Sequence, residues 1–215
     1  RDKISHALYC AYWCYLRQAL LSTMAAMQKN SKCLGLRRET FNPWERRCAL
    51  TPEHVRALVN SGVKVLIQPS ERRVFHIQEY IDAGAEVRED LSEATLIISV
   101  KSVPIQSLIP DRTYAFFSHT IKAQPTNMPM LDDILAKRIM MIDYEQMFNE
   151  KKQRVIMAMF SQWAGRVGMI DIFSGLGMRL LSFGFNTPFL NVALAHNYPT
   201  LANVKAELEK VGQDI

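Results

Sequence analysis

The sequence predicts an α/β fold, in which a parallel sheet carries helices on both faces. From Cys33 to Ala158, short apolar runs alternate with segments of helical periodicity, a pattern typical of successive β-α-β units. One of these runs, Leu96–Val100, is apolar almost throughout, as strands buried on both faces of a parallel sheet are. We therefore expect one α/β domain over residues 33–158.

Each element of this domain has a local signal. Thr51 suits a helix N-cap, Pro52 suits the first turn, and Gly62 stops the helix. Further helices are expected over Ile77–Ala83, which Gly84 ends, and over Met128–Lys137. The apolar runs predict six strands, at residues 32–36, 63–67, 96–100, 113–117, 139–142 and 154–158.

The two flanks of the domain differ from it in composition. Residues 1–32 are basic and contain one acid, Asp2, which is typical of an organelle transit segment. The alternatives to a transit segment are a secretory signal and a leader without a role. The pattern of residues 159–215 predicts two linking helices, at Gln162–Phe183 and Leu201–Gly212. Four glycines in the first of them suggest that it packs closely against another helix. We expect these helices to lead into a dinucleotide-binding domain that this sequence does not contain.

Composition excludes several classes of protein. The 26 Lys and Arg against 21 Asp and Glu give a net charge of +5, too small for a nucleic-acid-binding tail. With 48% apolar and 22% charged residues the chain is not disordered. No apolar run reaches the roughly 18 residues that a membrane helix needs. We expect no metal site, and the sequence leaves the oligomeric state open, a homo-oligomer included.

The candidate site residues follow the predicted strands, because parallel sheets bind ligands at the carboxyl ends of their strands. Lys101, in a partly desolvated cleft, could act as a base, and His119 could move protons near neutral pH. Arg37 and Arg38 could bind a carboxylate, or they could be ordinary surface charge with Glu39 and Glu45 as partners. Glu145 could pair with Lys101 or hold an amine, or lie solvated in a loop.

The common cofactor motifs are missing from the sequence. Gly175-x-Gly177 follows no strand and lacks a third glycine, so it is not a dinucleotide fingerprint. There is no P-loop, no His/Cys metal set and no Gly-x-Ser-x-Gly turn. The residues alone thus indicate an α/β domain with an anion-binding cleft, which could be a module that binds amino or keto acids without turnover.

Several strings of the sequence resemble the alanine dehydrogenase/transhydrogenase superfamily and, within it, the lysine–ketoglutarate reductase half of the α-aminoadipic semialdehyde synthases. The resemblance covers about residues 34–212. It rests on Leu36–Glu39, Trp44–Pro52, Thr113–Gln124, Ile142–Glu145, Gln162–Gly165, Asn186–Phe189 and Ala195–Tyr198. An enzyme of the alanine dehydrogenase kind is the second reading within this superfamily.

The resemblance implies a Rossmann-like substrate domain of a mitochondrial matrix enzyme that joins lysine to 2-oxoglutarate and reduces the imine with NADPH, giving saccharopine. It implies Lys101 and His119 as the acid–base pair, and Arg37 and Glu145 as substrate-binding residues. Arg38 and Lys122 complete our set of substrate-binding candidates. Two places depart from the family: Met159-Phe160-Ser161 and Arg166-Val167 stand where smaller residues are usual.

Overall fold

The structure is a computed structural model, and it describes residues 32–215. The predicted leader segment therefore lies outside the described residues, apart from Lys32. Two compact units divide the described chain, one ending at Ile156 and the other spanning Met157–Ile215.

The first unit contains a six-stranded sheet in which every pair of neighbours is parallel. Its strand order is β3-β2-β1-β4-β5-β6, so the direction of winding reverses between β1 and β4. Such a reversal is the topological switch point at which doubly wound sheets open a crevice for ligands. The strands are β1 Cys33–Leu36, β2 Lys64–Ile67, β3 Glu86–Val87, β4 Leu96–Ile98, β5 Thr113–Phe116 and β6 Met140–Asp143.

Three helices connect these strands: α1 Pro52–Asn60, α2 Ile77–Asp82 and α3 Met128–Ala136. The predicted N-cap is confirmed, since Thr51 Oγ1 accepts a hydrogen bond from His54 N at 3.3 Å. Crossovers between parallel strands are right-handed, so winding in opposite directions from the β1/β4 boundary places helices on both faces of the sheet. On one face, Met130 and Ile134 of α3 pack against Ile97 and Tyr114.

The predicted fold class is confirmed, and one predicted strand is wrong. Residues 154–158 do not form a strand, because helix α4 begins at Val155 and continues to Ser182. A short apolar run is compatible with a strand or with part of a helix, and here it forms the first turn of a long helix. The edge strand β3 was not predicted, since two exposed residues carry no alternating pattern. The long helix also begins seven residues before the predicted Gln162, and the other boundaries differ from the predictions by at most two residues.

The second unit consists of most of α4, two short 3-10 turns and helix α5, Leu201–Gln213. Its core is formed by Ile170, Val192, Val204 and Val211. The predicted close packing at glycines is found at Gly177, where an added Cβ would lie 2.7 Å from the backbone of Phe189. At Gly165, Gly168 and Gly175 an added Cβ would meet nothing within 4 Å. Arg166 places its guanidinium carbon 4.7 Å from the ring centroid of Trp163.

Candidate functional site

The carboxyl ends of β5 and β6 bring three of the predicted site residues together. Glu145 accepts from Lys122 Nζ at 3.0 Å through Oε1, and its Oε2 lies 3.2 Å from His119 Nδ1. The side chain of Glu145 is only 4% exposed, whereas that of His119 is 38% exposed. A buried carboxylate thus holds two groups that can exchange protons with a ligand in solvent.

Two partners of the histidine share one ring nitrogen, since His119 Nδ1 lies 3.2 Å from Glu145 Oε2 and 3.4 Å from Lys122 Nζ. When His119 donates its Nδ1–H to Glu145, Nε2 is the nitrogen that remains to act on a substrate. The His119 backbone has φ of 58°, in the left-handed region that residues other than glycine seldom adopt. Its ring stacks on Phe117, with centroids 6.2 Å apart and planes inclined at 16°. Backbone strain of this kind is concentrated at functional sites.

Electrostatics keep the carboxylate of Glu145 ionised. Burial by itself raises the pKa of Glu145, but the hydrogen bond from Lys122 and the neighbouring His119 outweigh burial and lower the pKa below its usual value. The carboxylate of Glu145 therefore carries its charge between Lys122 and His119.

A second buried carboxylate fixes the two strand ends relative to each other. Asp143, the last residue of β6, accepts from Ser118 Oγ at 2.5 Å and from Glu145 N at 2.9 Å. Ser118 Oγ in turn lies 2.8 Å from Thr120 Oγ1. Because Ser118 precedes His119, this chain of hydrogen bonds sets the position of the histidine. The sequence placed Asp143 at a strand end but gave no sign of this role.

Lys101 lies at the adjacent strand end, beyond β4. The backbones of the two strands remain paired there, since Phe117 N donates to the carbonyl of Val100 at 3.2 Å. The turn that carries Lys101 is held by Glu39, which accepts from Ser99 Oγ at 3.0 Å, Val100 N at 2.6 Å and Lys101 N at 3.1 Å. Burial raises the pKa of Glu39, and these three donors partly offset that effect.

The side chain of Lys101 faces the loop between β1 and α1. Its Nζ lies 5.6 Å from the ring centroid of Phe41. In the same loop Arg47 forks onto buried Glu45, with Nε and Nη2 donating at 2.8 and 2.7 Å. Burial raises the pKa of Glu45, but Arg47 and the charge of Lys101 outweigh it, and the pKa is lowered. Lys101 and His119 thus sit at neighbouring strand ends with different partners.

Arg37 and Arg38 lie elsewhere, around a cavity of about 530 Å³ whose walls include neither Lys101 nor the His119 cluster. Arg37 is buried and donates to Arg38 O at 2.8 Å and to Thr40 Oγ1 at 2.9 Å. Burial, partly offset by Glu39, lowers the pKa of the Arg37 guanidinium. The walls of this cavity thus hold Arg37 and Arg38 without Lys101, His119 or Lys122.

Gly175 and Gly177, the one Gly-x-Gly pair of the sequence, do not form a dinucleotide-binding turn. Gly175 and Gly177 lie inside helix α4, and Gly177 serves the close approach of Phe189 rather than a phosphate. Between Lys32 and Ile215 no group of three or more His, Cys, Asp or Glu side chains is arranged to hold a metal ion. In the same part of the chain, no helix has the length and apolar character to cross a membrane.

Comparisons with known proteins relate the chain to one family. Residues 35–167 match the family described as alanine dehydrogenase/PNT, N-terminal domain. The mitochondrial α-aminoadipic semialdehyde synthase of Bos taurus is 50% identical over 182 residues, which is 85% of this chain and 19% of that protein. A lysine-forming, NAD(+)-dependent saccharopine dehydrogenase of Yarrowia lipolytica is 34% identical over 63% of this chain and 37% of its own length. A solved L-alanine dehydrogenase has a TM-score of 0.49 at 23% identity, over 57% of this chain and 35% of that one.

Proposed function

The chain belongs to the alanine dehydrogenase/PNT N-terminal domain family, and from this membership we propose that it forms the substrate-side portion of a saccharopine-forming reductase in lysine degradation. The substrates are L-lysine and 2-oxoglutarate. The observation that carries the proposal is the His119–Glu145–Lys122 cluster beside Lys101. The chain spans about a fifth of the length of the synthase that it resembles, so the activity proposed is that of a larger protein.

The chemistry of this reaction needs proton transfers that the cluster can perform. The ε-ammonium of lysine has an ordinary pKa near ~10.4, so it must lose a proton before its nitrogen attacks the oxo carbon. The carbinolamine that results then needs a proton on its departing hydroxyl. One base and one acid at neighbouring strand ends suffice for both transfers. We assign the transfers to Lys101 and His119 as a pair.

The remaining residues of the proposed site bind and orient. Lys122, 48% exposed, supplies a cation for a substrate carboxylate, and Glu145 keeps His119 in the orientation that leaves Nε2 for the substrate. We place Arg37 and Arg38 outside this acid–base site, because the cavity that they line includes none of its four members. If they bind a ligand, they bind it in that cavity.

We propose NADPH as the reductant, bound by a domain outside these 215 residues. This part of the proposal rests on the larger size of the relatives and on the Gly175–Gly177 pair, which forms no dinucleotide-binding turn. We also propose the mitochondrial matrix as the location, because the bovine relative is named mitochondrial and residues 1–32 are basic and nearly free of acids.

The acid–base assignment is tested by substitution in the complete protein. We expect Lys101→Met and His119→Gln each to lower kcat for saccharopine formation by about 100-fold or more, the usual size of a general acid–base contribution. The loss of NADPH absorbance measures the rate of saccharopine formation, and circular dichroism checks that each variant is folded. Lys205→Met, an exposed lysine of α5, is the matched control and should keep wild-type kcat. Unchanged kcat in both site variants would remove the pair from the mechanism.

A binding module without turnover is the alternative function. Titration calorimetry of saccharopine into the 215-residue chain tests whether the site binds, and turnover by the complete protein distinguishes the enzyme from the module. Both readings expect weak binding that falls in Lys122→Met. Binding without any turnover by the complete protein would favour the module.

A further inference from the structure

Helix α4 is apolar on the side that faces its own unit and also on the side that faces solvent. On the inner side, Ile170 is 6% exposed and belongs to the core of the second unit. On the outer side, Met169 is 55% exposed and Ile172 is 64% exposed. A surface helix normally carries charged residues on its outer side, and a helix that is apolar all round is buried. The outer side of α4 therefore indicates an interaction surface.

The outer face of α4 consists of residues spaced three and four apart, which lie on one side of a helix. These residues are Gly168, Met169, Ile172, Gly175, Leu176 and Arg179. Arg179, at one end, is the single charge among them. Asp171 of the same stretch turns to its own unit, where its Oδ1 accepts from Ala195 N at 2.8 Å. An occupant of this face is therefore itself apolar, because the face offers no set of charges for an acidic or a basic partner.

The two glycines of the outer face do not serve packing within the described chain. A Cβ added at Gly168 or Gly175 would meet nothing within 4 Å, whereas one at Gly177, on the inner side, would lie 2.7 Å from the backbone of Phe189. Glycine lowers the stability of a helix relative to alanine, and it allows another segment to approach closely. Gly168 and Gly175 thus form two depressions, one on each side of Ile172, that can receive the side chains of a partner.

The outer face is complementary to itself. Gly168 stands four residues before Ile172 and Leu176 four residues after it, while Met169 and Gly175 stand three residues before and after it. In an antiparallel pair of α4 helices with Ile172 at the two-fold axis, Leu176 of each copy faces Gly168 of the other, and Met169 faces Gly175. A large side chain then meets a small one at each of these positions, as interdigitating layers require.

The one charge on the face also fits an antiparallel pair. The two Arg179 residues then lie at opposite ends, about 21 Å apart along the helix axis at the usual rise per residue. This separation exceeds two Debye lengths of about 8 Å at physiological salt, so their repulsion is screened. A parallel pair would instead place the two guanidinium groups side by side.

The area of the face is sufficient for a weak dimer. Residues 162–182, which extend equally to both sides of Ile172, form a helix about 31 Å long and about 10 Å wide. If each copy buries half of the surface of this cylinder, the pair buries about 1,000 Å² in total, which is near the lower limit of specific interfaces.

From these observations we propose that the outer face of α4 is the interface of a two-fold symmetric dimer of this chain, in which the two α4 helices pack antiparallel about Ile172. Met169 and Leu176 of one copy fill the depressions at Gly175 and Gly168 of the other. The dimer involves neither the strand ends of the acid–base site nor a cofactor. Its failure would therefore leave the proposed function untouched.

Sedimentation velocity of the 215-residue chain tests for the dimer. We expect a species of twice the 24.6 kDa of one chain. The dissociation constant should be about 1–50 µM, at the weak end of what interfaces of similar area show. A wild-type chain that remains monomeric at about 200 µM, well above that range, would overturn the proposal and leave the face to a different partner.

Two aspartate variants test whether α4 forms the interface. Ile172→Asp places two like charges at the two-fold axis and should raise the dissociation constant about 10-fold or more. Met178→Asp is the matched control, because Met178 is also 64% exposed but lies about 120° away around the helix. It should dimerise as the wild type does, and circular dichroism checks that both variants are folded. Equal dimerisation of the two variants, whether retained or lost, would contradict the assigned face.

The register of the two helices is tested by filling a depression. Gly168→Leu occupies the space that faces Leu176, and a Cβ at this position meets no atom of its own chain. Because an overfilled contact forces the helices apart, the dissociation constant should rise about 10-fold. A dimer as tight as that of the wild type would show that this depression is not occupied by the second copy.

Disulfide formation tests the direction of the helices. In a chain carrying Cys10→Ser and Cys14→Ser, the remaining cysteines, Cys33 and Cys48, are buried. Ile172→Cys in this background should crosslink two copies on mild oxidation, because the two Cβ atoms meet at the axis within about 4 Å, as a disulfide requires. Arg179→Cys should stay uncrosslinked. Crosslinking of Arg179→Cys, or its absence in Ile172→Cys, would overturn the antiparallel arrangement.

Discussion

A buried carboxylate holds the turn from which Lys101 extends. Glu39 reaches from the loop after β1 to three donors at the end of β4, across 60 to 62 residues of sequence. In the sequence it reads as a partner for the neighbouring arginines. Only the folded chain shows that it ties the carboxyl ends of two adjacent strands together.

Glu39→Gln should therefore destabilise the protein. In the wild type, all three donors meet an oxygen of the Glu39 carboxylate. In the variant, the NH₂ group of the glutamine takes the place of one of these oxygens and cannot accept a hydrogen bond. We expect a loss of about 1–3 kcal/mol in the free energy of unfolding, the usual cost of a buried polar group left unsatisfied. Urea unfolding measures it, and Ser99→Ala, which removes one donor, should cost less. A wild-type unfolding free energy in Glu39→Gln would show that the three hydrogen bonds do not matter.

Glu145 gives stability a predictable dependence on pH. Its pKa is lowered in the folded state, so its contribution is complete above its ordinary pKa of about 4.5 and is lost as pH falls through the lowered value. The difference in unfolding free energy between wild type and Glu145→Gln should be largest near pH 7 and shrink below about pH 4.5. A difference that stays constant between pH 7 and pH 3 would contradict this linkage.

At the scale of elements, helix α4 shows two kinds of glycine. An added Cβ at Gly177 would lie 2.7 Å from the carbonyl carbon and oxygen of Phe189, whereas one at Gly175 would lie in open space. The sequence suggested close packing at all four glycines of this helix. The spacing of the glycines could not reveal which of them faces another segment, because that depends on where residues 188–190 pass.

This contrast gives a matched pair of substitutions. Gly177→Ala forces the methyl group against backbone that cannot rotate away, and overpacking costs about 1–3 kcal/mol. Gly175→Ala should instead stabilise the helix by up to about 1 kcal/mol, the difference in helix propensity between the two residues. Thermal unfolding of both variants measures the effects. A common sign for the two would show that the approach of Phe189 is not maintained in solution.

For the whole molecule, the proposed function assigns binding and proton transfer to the described residues and the reductant to a domain outside these 215 residues. We expect the 215-residue chain to oxidise no measurable NADPH in the presence of L-lysine and 2-oxoglutarate. The reason is that a cofactor diffusing in solution forfeits the effective molarity of a bound one. Absorbance at the nicotinamide band follows the reaction, and the complete protein is the positive control. Substantial turnover by this chain alone would place a cofactor site within it.

The sequence by itself determined the fold class, the parallel sheet and the strand ends that carry Lys101, His119 and Glu145, because apolar periodicity and cap residues are local signals. The tertiary structure decided which of these side chains meet. Turn geometry, such as the positive φ of His119, directs a side chain beyond the end of its strand. The tertiary structure also placed Arg37 on an open cavity at the switch point whose walls do not include the His119 cluster. Those contacts join segments distant in sequence, and no local pattern encodes the distance between them.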